Sequence, residues 1–60
     1  MFCYAVFHHN KQVRVFPFNP TGNDWQRART LAIKFAEKAK SEGYSVEYFG
    51  ATDVGTTIWK

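Results

Sequence analysis

The chain has 60 residues, a formal net charge of +3 and an aromatic content of 18%. This length allows one domain, residues 1–60, and excludes a large buried core, because a chain this short buries only about 60% of its unfolded surface. No run of about 18 apolar residues is present, which excludes a membrane-spanning helix. The modest positive charge is compatible with nucleic acid, with an acidic protein or simply with solubility.

Cys3 is the only cysteine, which excludes an internal disulfide and a cysteine-rich zinc site. A lone thiol is more typical of a reducing cytoplasm than of secretion. The first apolar stretch is also too short for a signal peptide. We therefore expect a cytoplasmic protein in which Cys3 is a small buried hydrophobe.

The N-terminal third of the chain predicts a β-hairpin. Residues 2–9 are aromatic and β-branched, which indicates a first strand. Asn10-Lys11 predicts the turn, either as a two-residue loop or at the centre of a four-residue loop over residues 9–12. Residues 13–18 form the return strand. Pro17 lacks an amide hydrogen, which favours a position at the edge of a sheet.

The middle of the chain predicts one amphipathic helix. Residues 19–24 are turn-forming, and either Asn23 or Asp24 can cap the helix that follows. The helix is predicted over residues 25–42, and Gly43 ends it. At 100° per residue, one arc collects the apolar side chains that we expect to be buried: Trp25, Ala28, Leu31, Ala32, Phe35, Ala36 and Ala39.

The last third of the chain predicts one further strand and a possible final one. Residues 44–51 alternate in the manner of a half-buried strand. Residues 52–55 indicate a turn, and residues 56–59 form a possible fourth strand. The predicted fold is therefore α+β: an antiparallel-rich sheet of three or four strands in the order β-β-α-β, with a possible final β and one amphipathic helix packed on one face.

The two faces of the predicted hairpin are both apolar. The turn prediction pairs His8 with Val13, Val6 with Val15 and Ala5 with Phe16. One face then carries Tyr4, Val6, His8, Val13 and Val15, and the other carries Cys3, Ala5, Phe7, Arg14, Phe16 and Phe18. One helix covers only one of them, and either face could be the core. The other is then an exposed binding surface, or it is covered by the C-terminal segment through Ile58 and Trp59.

The candidate reactive groups do not assemble into a reaction centre. His8 and His9 are adjacent, so on a strand they point to opposite faces and cannot bind one metal ion together. Cys3 and His9 share a face but lie about 20 Å apart along an extended strand, which excludes activation of the thiol. The carboxylates show no paired spacing, and no phosphate-binding loop is present. We therefore expect no enzymatic activity, no metal site and no cofactor.

Two kinds of partner remain. The first is a protein, or a second copy of this chain, bound by an aromatic sheet face or an edge strand. The residues predicted for that contact are His8, His9, Arg14, Phe16, Phe18 and Trp59. The alternative is nucleic acid, contacted by the basic helix face. The residues predicted for it are Arg27, Arg29, Lys34 and Lys38, which are equally typical of a solvated face.

The order of these elements resembles a known group of proteins. It is carried by FCYAVFHHNKQVRVFPF followed by NDWQRARTLAIKFAEKAKSEGYSVEYF. Together these segments resemble the β-β-α-β plan of small bacteriophage host-takeover proteins, which include inhibitors and antitoxins. The resemblance covers about residues 2–50 and is one of architecture, so it assigns no functional residue. It implies a non-enzymatic inhibitor that occludes a host protein with a compact surface.

Overall fold

The computed structural model describes residues 2–51 and 54–60, which form four strands and one helix. Their bounds are β1 Cys3–His8, β2 Lys11–Pro17, α1 Asp24–Lys38, β3 Tyr44–Phe49 and β4 Gly55–Trp59. The strands form one antiparallel sheet in the order β2-β1-β3-β4, and α1 packs on one of its faces. The α+β prediction is confirmed, and the possible fourth strand is present. Thr52 and Asp53 of the predicted turn lie outside the described residues.

The hairpin turn lies one residue earlier than the sequence predicts. β1 ends at His8 and β2 begins at Lys11, so the two-residue loop is His9-Asn10 rather than Asn10-Lys11. Both loop residues have positive φ angles, 51° for His9 and 67° for Asn10, as the tightest hairpin turns require. Asn tolerates this conformation well, but His at the first position gives a weaker signal, which is why the prediction missed it.

A β-bulge at Val13 then reverses the faces of the outer part of β2. The ladder pairs Phe7 with Gln12 and, on the other side of the bulge, Val6 with Arg14, so Val13 is the extra residue. The predicted partners of Val6, Ala5 and His8 are therefore wrong. The shift of the turn changes each residue's partner on β2 by two positions, so every side chain stays on its predicted face. The bulge then changes the partner by one position, which moves the β2 side chains beyond it to the opposite face.

The helix packs on the face of the sheet that carries Tyr4 and Val6. Val6 and Val46, on neighbouring central strands, are fully buried beneath it. The helix contributes three alanines at intervals of four residues to this contact, so the backbone approaches the sheet closely. The buried core of this face consists of Tyr4, Val6, Ala28, Ala32, Ala36 and Val46.

The larger apolar side chains of the helix lie at its flanks rather than beneath it. Trp25, Leu31 and Phe35 are 40%, 41% and 38% exposed, so the prediction that they supply the bulk of the core is wrong. The alanine stripe explains this outcome. A helix seated on methyl groups leaves no space below its axis for larger side chains, so Leu31 and Phe35, at the edge of the apolar arc, point sideways. Trp25 lies in the first turn of the helix, before the three buried alanines begin.

The helix also ends earlier than predicted, at Lys38 instead of Glu42. Lys40 has a φ of 51°, and its amide donates to the carbonyl of Glu37, so the left-handed residue that closes the helix is a lysine. Gly43, with a φ of 89°, makes a second reversal that leads into β3. At the other end Asn23 is the N-cap, without a side-chain capping bond.

In the described part of the chain no helix lies on the second face of the sheet; we call it the open face. Cys3 and Ala5 on this face are nevertheless buried, at 8% and 0% exposure. The rings of Phe7 and Phe49, with centroids 6.4 Å apart, meet diagonally across the position of Ala5. The C-terminal segment does not cover this face, which corrects that alternative, because β4 extends the sheet beside β3 and its Trp59 packs against the helix-side core.

Candidate functional site

The two histidines hold the end of the hairpin against the connection between α1 and β3. The His8 imidazole donates from Nε2 to the carbonyl of Glu42 at 3.1 Å and stacks on Tyr44 with a centroid distance of 4.3 Å. The backbone amide of His9 donates to the carbonyl of Gly43 at 3.0 Å. The centroids of the His8 and His9 rings are 4.2 Å apart. These contacts give both residues a structural role at one end of the molecule.

Two other residues of the predicted partner set are partly buried elsewhere. Phe18 packs against the core, with its ring 5.4 Å from Tyr4 and 6.2 Å from Tyr48. Trp59 lies on β4 opposite Val46, at the far edge of the sheet from β2. The six residues predicted for a protein contact therefore do not lie on one surface.

Arg14 and Phe16, the remaining pair, do come together on β2. The Arg14 guanidinium lies over the Phe16 ring at 5.3 Å from its centroid, a cation–π contact. Phe16 in turn makes an edge-on contact with Phe35 of the helix at 6.3 Å. Because the bulge at Val13 moves Arg14 and Phe16 to the helix side of the sheet, they meet the exposed flank of α1 rather than the open face.

A groove of about 270 Å³ lies at this junction, between β2 and the first half of α1. Its walls combine apolar and charged side chains: Phe16, Pro17, Asp24, Arg27, Ala28 and Leu31. We call this surface the edge groove, and we include in it Arg14 and Phe35, which both contact the lining residue Phe16. The sequence missed Leu31 and Phe35 as surface residues, although the regular spacing of the alanines was the signal that could have identified them.

The backbone of β2 is unpaired along the outer side of the edge groove. β2 is the first strand of the sheet and, within residues 2–51 and 54–60, pairs only with β1. The amide of Phe18 donates to the carbonyl of Phe2 at 3.1 Å, and ladder bonds alternate along an antiparallel strand. The amide and carbonyl of Val15 therefore face outward. The backbone nitrogen of Pro17 faces outward as well and carries no hydrogen that would be left unpaired. This agrees with the position at a sheet edge that the sequence predicts for Pro17.

The basic residues predicted for nucleic acid lie on different sides of the helix. Arg27 lines the edge groove beside Leu31, and Lys34 and Lys38 are exposed. Arg29 lies instead toward Tyr4, on the opposite flank: burial and the neighbouring Tyr48 raise the pKa of the Tyr4 phenol, and the Arg29 charge partly lowers it. These side chains therefore contribute to two separate surfaces.

The described residues bring no reactive cluster together. Cys3 is buried as predicted, and this burial raises the pKa of its thiol. It begins β1 while His8 ends that strand, and their side chains point to opposite faces. Within residues 2–51 and 54–60, no three histidine, cysteine or acidic side chains group as a metal site requires. Nor does that part of the chain hold a helix long and apolar enough to cross a membrane.

The chain is a small α+β domain with an amphipathic groove at one edge of its sheet. Comparison of the chain with protein-family models, with curated proteins and with solved structures finds no match.

Proposed function

We propose that this chain is a non-enzymatic protein-interaction domain that docks onto its partner through the edge groove. The observation that carries the proposal is the exposure of Leu31 and Phe35, 41% and 38%, directly beside β2. In the described part of the chain, β2 is an edge strand whose outer side is unpaired. Large apolar side chains grouped on the surface of a small domain usually mark a contact surface. Here they are flanked by Arg14 and Arg27 rather than scattered singly.

The chemistry of the edge groove favours an apolar partner segment with acidic neighbours. Leu31, Phe35 and Phe16 supply apolar and aromatic anchors, and arginine is among the residues most enriched at energetic centres of interfaces. Arg14 and Arg27 attract carboxylates, and Asp24 lies at the same site, so the groove is amphipathic rather than uniformly basic. The bulge at Val13 and the missing amide hydrogen of Pro17 limit the addition of a partner strand to the outward-facing amide and carbonyl of Val15. Side-chain contacts therefore dominate.

The mode of action that we propose is inhibition of the bacteriophage host-takeover type, in which a compact domain occludes a host protein. The order of elements resembles that of the bacteriophage proteins, and occlusion by a binding surface requires no reaction centre. Both points support this mode. A single buried thiol fits a reducing cytoplasm, where we propose that the domain acts. A second copy of the chain is the simplest competing partner.

The proposal is tested by a pull-down from bacterial lysate with the tagged domain, with and without nuclease. We expect a protein that is captured in both conditions and is lost with Arg14→Ala or Leu31→Ala. Each substitution should weaken binding about tenfold or more, as truncation of interface anchors does. Trp25→Ala is the matched control, because Trp25 is as exposed as Leu31 but lies on the other flank.

Thermal unfolding of each variant separates loss of binding from loss of fold. Capture that disappears on nuclease treatment contradicts the proposal and favours the basic helix residues as a nucleic-acid surface. Capture that survives both edge-groove substitutions shows that the partner binds elsewhere. Sedimentation of the purified domain identifies self-association, which would replace the host protein as partner if Leu31→Ala abolishes it.

A further inference from the structure

A second concave site lies on the other flank of the helix and is separate from the edge groove. It is a pocket of about 280 Å³ whose walls are five aromatic rings and a proline: Phe2, Tyr4, Phe18, Pro20, Trp25 and Tyr48. We call it the aromatic pocket. Its volume is just below the roughly 300–1,000 Å³ typical of ligand sites, so it suits one flat ring system rather than a larger molecule.

The rings of the aromatic pocket hold one another in place. Tyr4 lies 5.4 Å from Phe18 and 5.3 Å from Tyr48, and Phe18 and Tyr48 are stacked at 6.2 Å. Phe2 meets Phe18 edge-on at 5.9 Å. The floor is thus a braced aromatic cluster, whereas Trp25 at the wall is 40% exposed. A site of this kind offers ring faces to a planar ligand with little rearrangement of its own.

The charge beside the aromatic pocket is positive. Arg29 lies one helical turn after Trp25, on the same side of α1. No carboxylate appears among the lining residues that the structure describes. Aromatic sites for quaternary ammonium groups attract a cation, which Arg29 would oppose here. The ligand that fits both features is a planar ring that carries a nearby negative charge.

We propose that the aromatic pocket binds an unpaired nucleobase of a single-stranded nucleic acid, with Arg29 contacting the adjacent phosphate. Stacking on aromatic side chains combined with a cationic contact to the backbone is how proteins bind single strands without sequence preference. The pocket accommodates one base. This proposal is independent of the edge groove and of the partner proposed for it.

The test is a fluorescence-anisotropy titration in which the purified domain is added to a labelled oligothymidylate of five nucleotides and, separately, to a labelled abasic strand of equal length. We expect the base-bearing strand to bind at least about tenfold more tightly than the abasic one, and Trp25→Ala to remove about tenfold in affinity. Val13→Ala, at a 44% exposed apolar side chain that lines neither the aromatic pocket nor the edge groove, should leave binding unchanged. Arg29→Gln should reduce the slope of log K against log salt by about 0.7, the value for one phosphate contact on a single strand.

The result that overturns the proposal is equal binding of the abasic and base-bearing strands, or full affinity in Trp25→Ala. Binding of a proline-rich peptide with no binding of the oligonucleotide also overturns it, because tyrosine- and tryptophan-lined grooves recognise such peptides. Since Trp25→Ala could alter folding, its unfolding midpoint is measured alongside. The salt slope of Arg29→Gln, a change at an exposed side chain, provides the independent readout.

Discussion

Val46 is one of the two largest side chains that are fully buried in the described part of the chain, the other being Val6. The two lie on adjacent central strands and face each other in the ladder beneath α1. A domain of 60 residues has a net stability of only about 3–5 kcal/mol. Single side chains of this kind therefore account for much of the margin between the folded and unfolded states.

We predict that Val46→Ala lowers the free energy of unfolding by about 2–3 kcal/mol, since it removes two buried methyl groups and leaves a cavity under the helix. Val54→Ala is the matched control. Val54 is 77% exposed, so the same chemical change there should alter stability by less than about 0.5 kcal/mol. Urea unfolding followed by circular dichroism measures both. Equal effects at the two positions would show that the helix does not cover β3 as described.

Tyr4 couples stability to alkaline pH. Burial raises the pKa of its phenol, repulsion from Tyr48 raises it further, and the Arg29 charge partly lowers it. The folded protein thus holds the Tyr4 proton at a pH where the unfolded chain, with a tyrosine pKa of about 10, releases it. The stabilisation from this proton is complete below about pH 10 and is lost as the pH rises toward the folded-state pKa.

We therefore predict that the urea midpoint falls more steeply between pH 9 and 11 in the wild type than in Tyr4→Phe. The phenylalanine keeps the ring contacts with Phe18 and Tyr48 but has no proton to lose. The two proteins carry the same other ionisable groups, so the difference between the two curves isolates Tyr4. Parallel curves would show that the Tyr4 hydroxyl is solvated in the folded state.

At the scale of elements, the connection from α1 to β3 is fitted against the hairpin turn. A Cβ added at Gly43 would overlap the His9 imidazole, and Gly43 also has a φ of 89°. Gly43→Ala should therefore destabilise the domain by more than about 1 kcal/mol, partly through backbone strain and partly through the clash. In a His9→Asn background only the strain remains, so the cost should be smaller. Additive effects in this double-mutant cycle would contradict the contact.

The helix–sheet contact makes a second prediction at this scale. Ala32 is fully buried at the centre of the alanine stripe, so Ala32→Leu inserts a larger side chain where the helix is closest to the sheet. Overpacking of this kind costs about 1–3 kcal/mol. Thr30→Leu, on the exposed side of the same helix, is the control and should be nearly neutral. Thermal unfolding of the two variants measures the contrast.

The elements themselves were largely predictable from the sequence, whereas their registers were not. Alternation, turn residues and the 3.6-residue period predicted three strands and the helix, and they left the fourth strand as a possibility. The bulge at Val13 has no clear local signal, because Val is an ordinary strand residue, yet it brings Phe16 to the helix side, where Phe16 packs against the core. Because the prediction lacked this one extra residue, it placed Arg14 and Phe16 on the wrong face.

At the scale of the whole molecule, the edge groove arises from elements distant in the sequence. Arg14 and Phe16 were predicted as contact residues and do lie there, but Leu31 and Phe35 were predicted for the core. Their exposure follows from how closely the alanine stripe seats α1, a property of the packed helix and sheet that the helical period alone does not contain. The same seating places Trp25 on the opposite flank, in the aromatic pocket.

The most direct test of the docking proposal is NMR chemical-shift mapping of the labelled domain, alone and bound to the protein captured in the nuclease-treated pull-down. We predict that the perturbed amides and methyl groups cluster at the edge groove, around Val15, Leu31 and Phe35, with little change at Trp59 on the far edge. Perturbations centred on Phe7 and the open face, or on β4, would contradict the account.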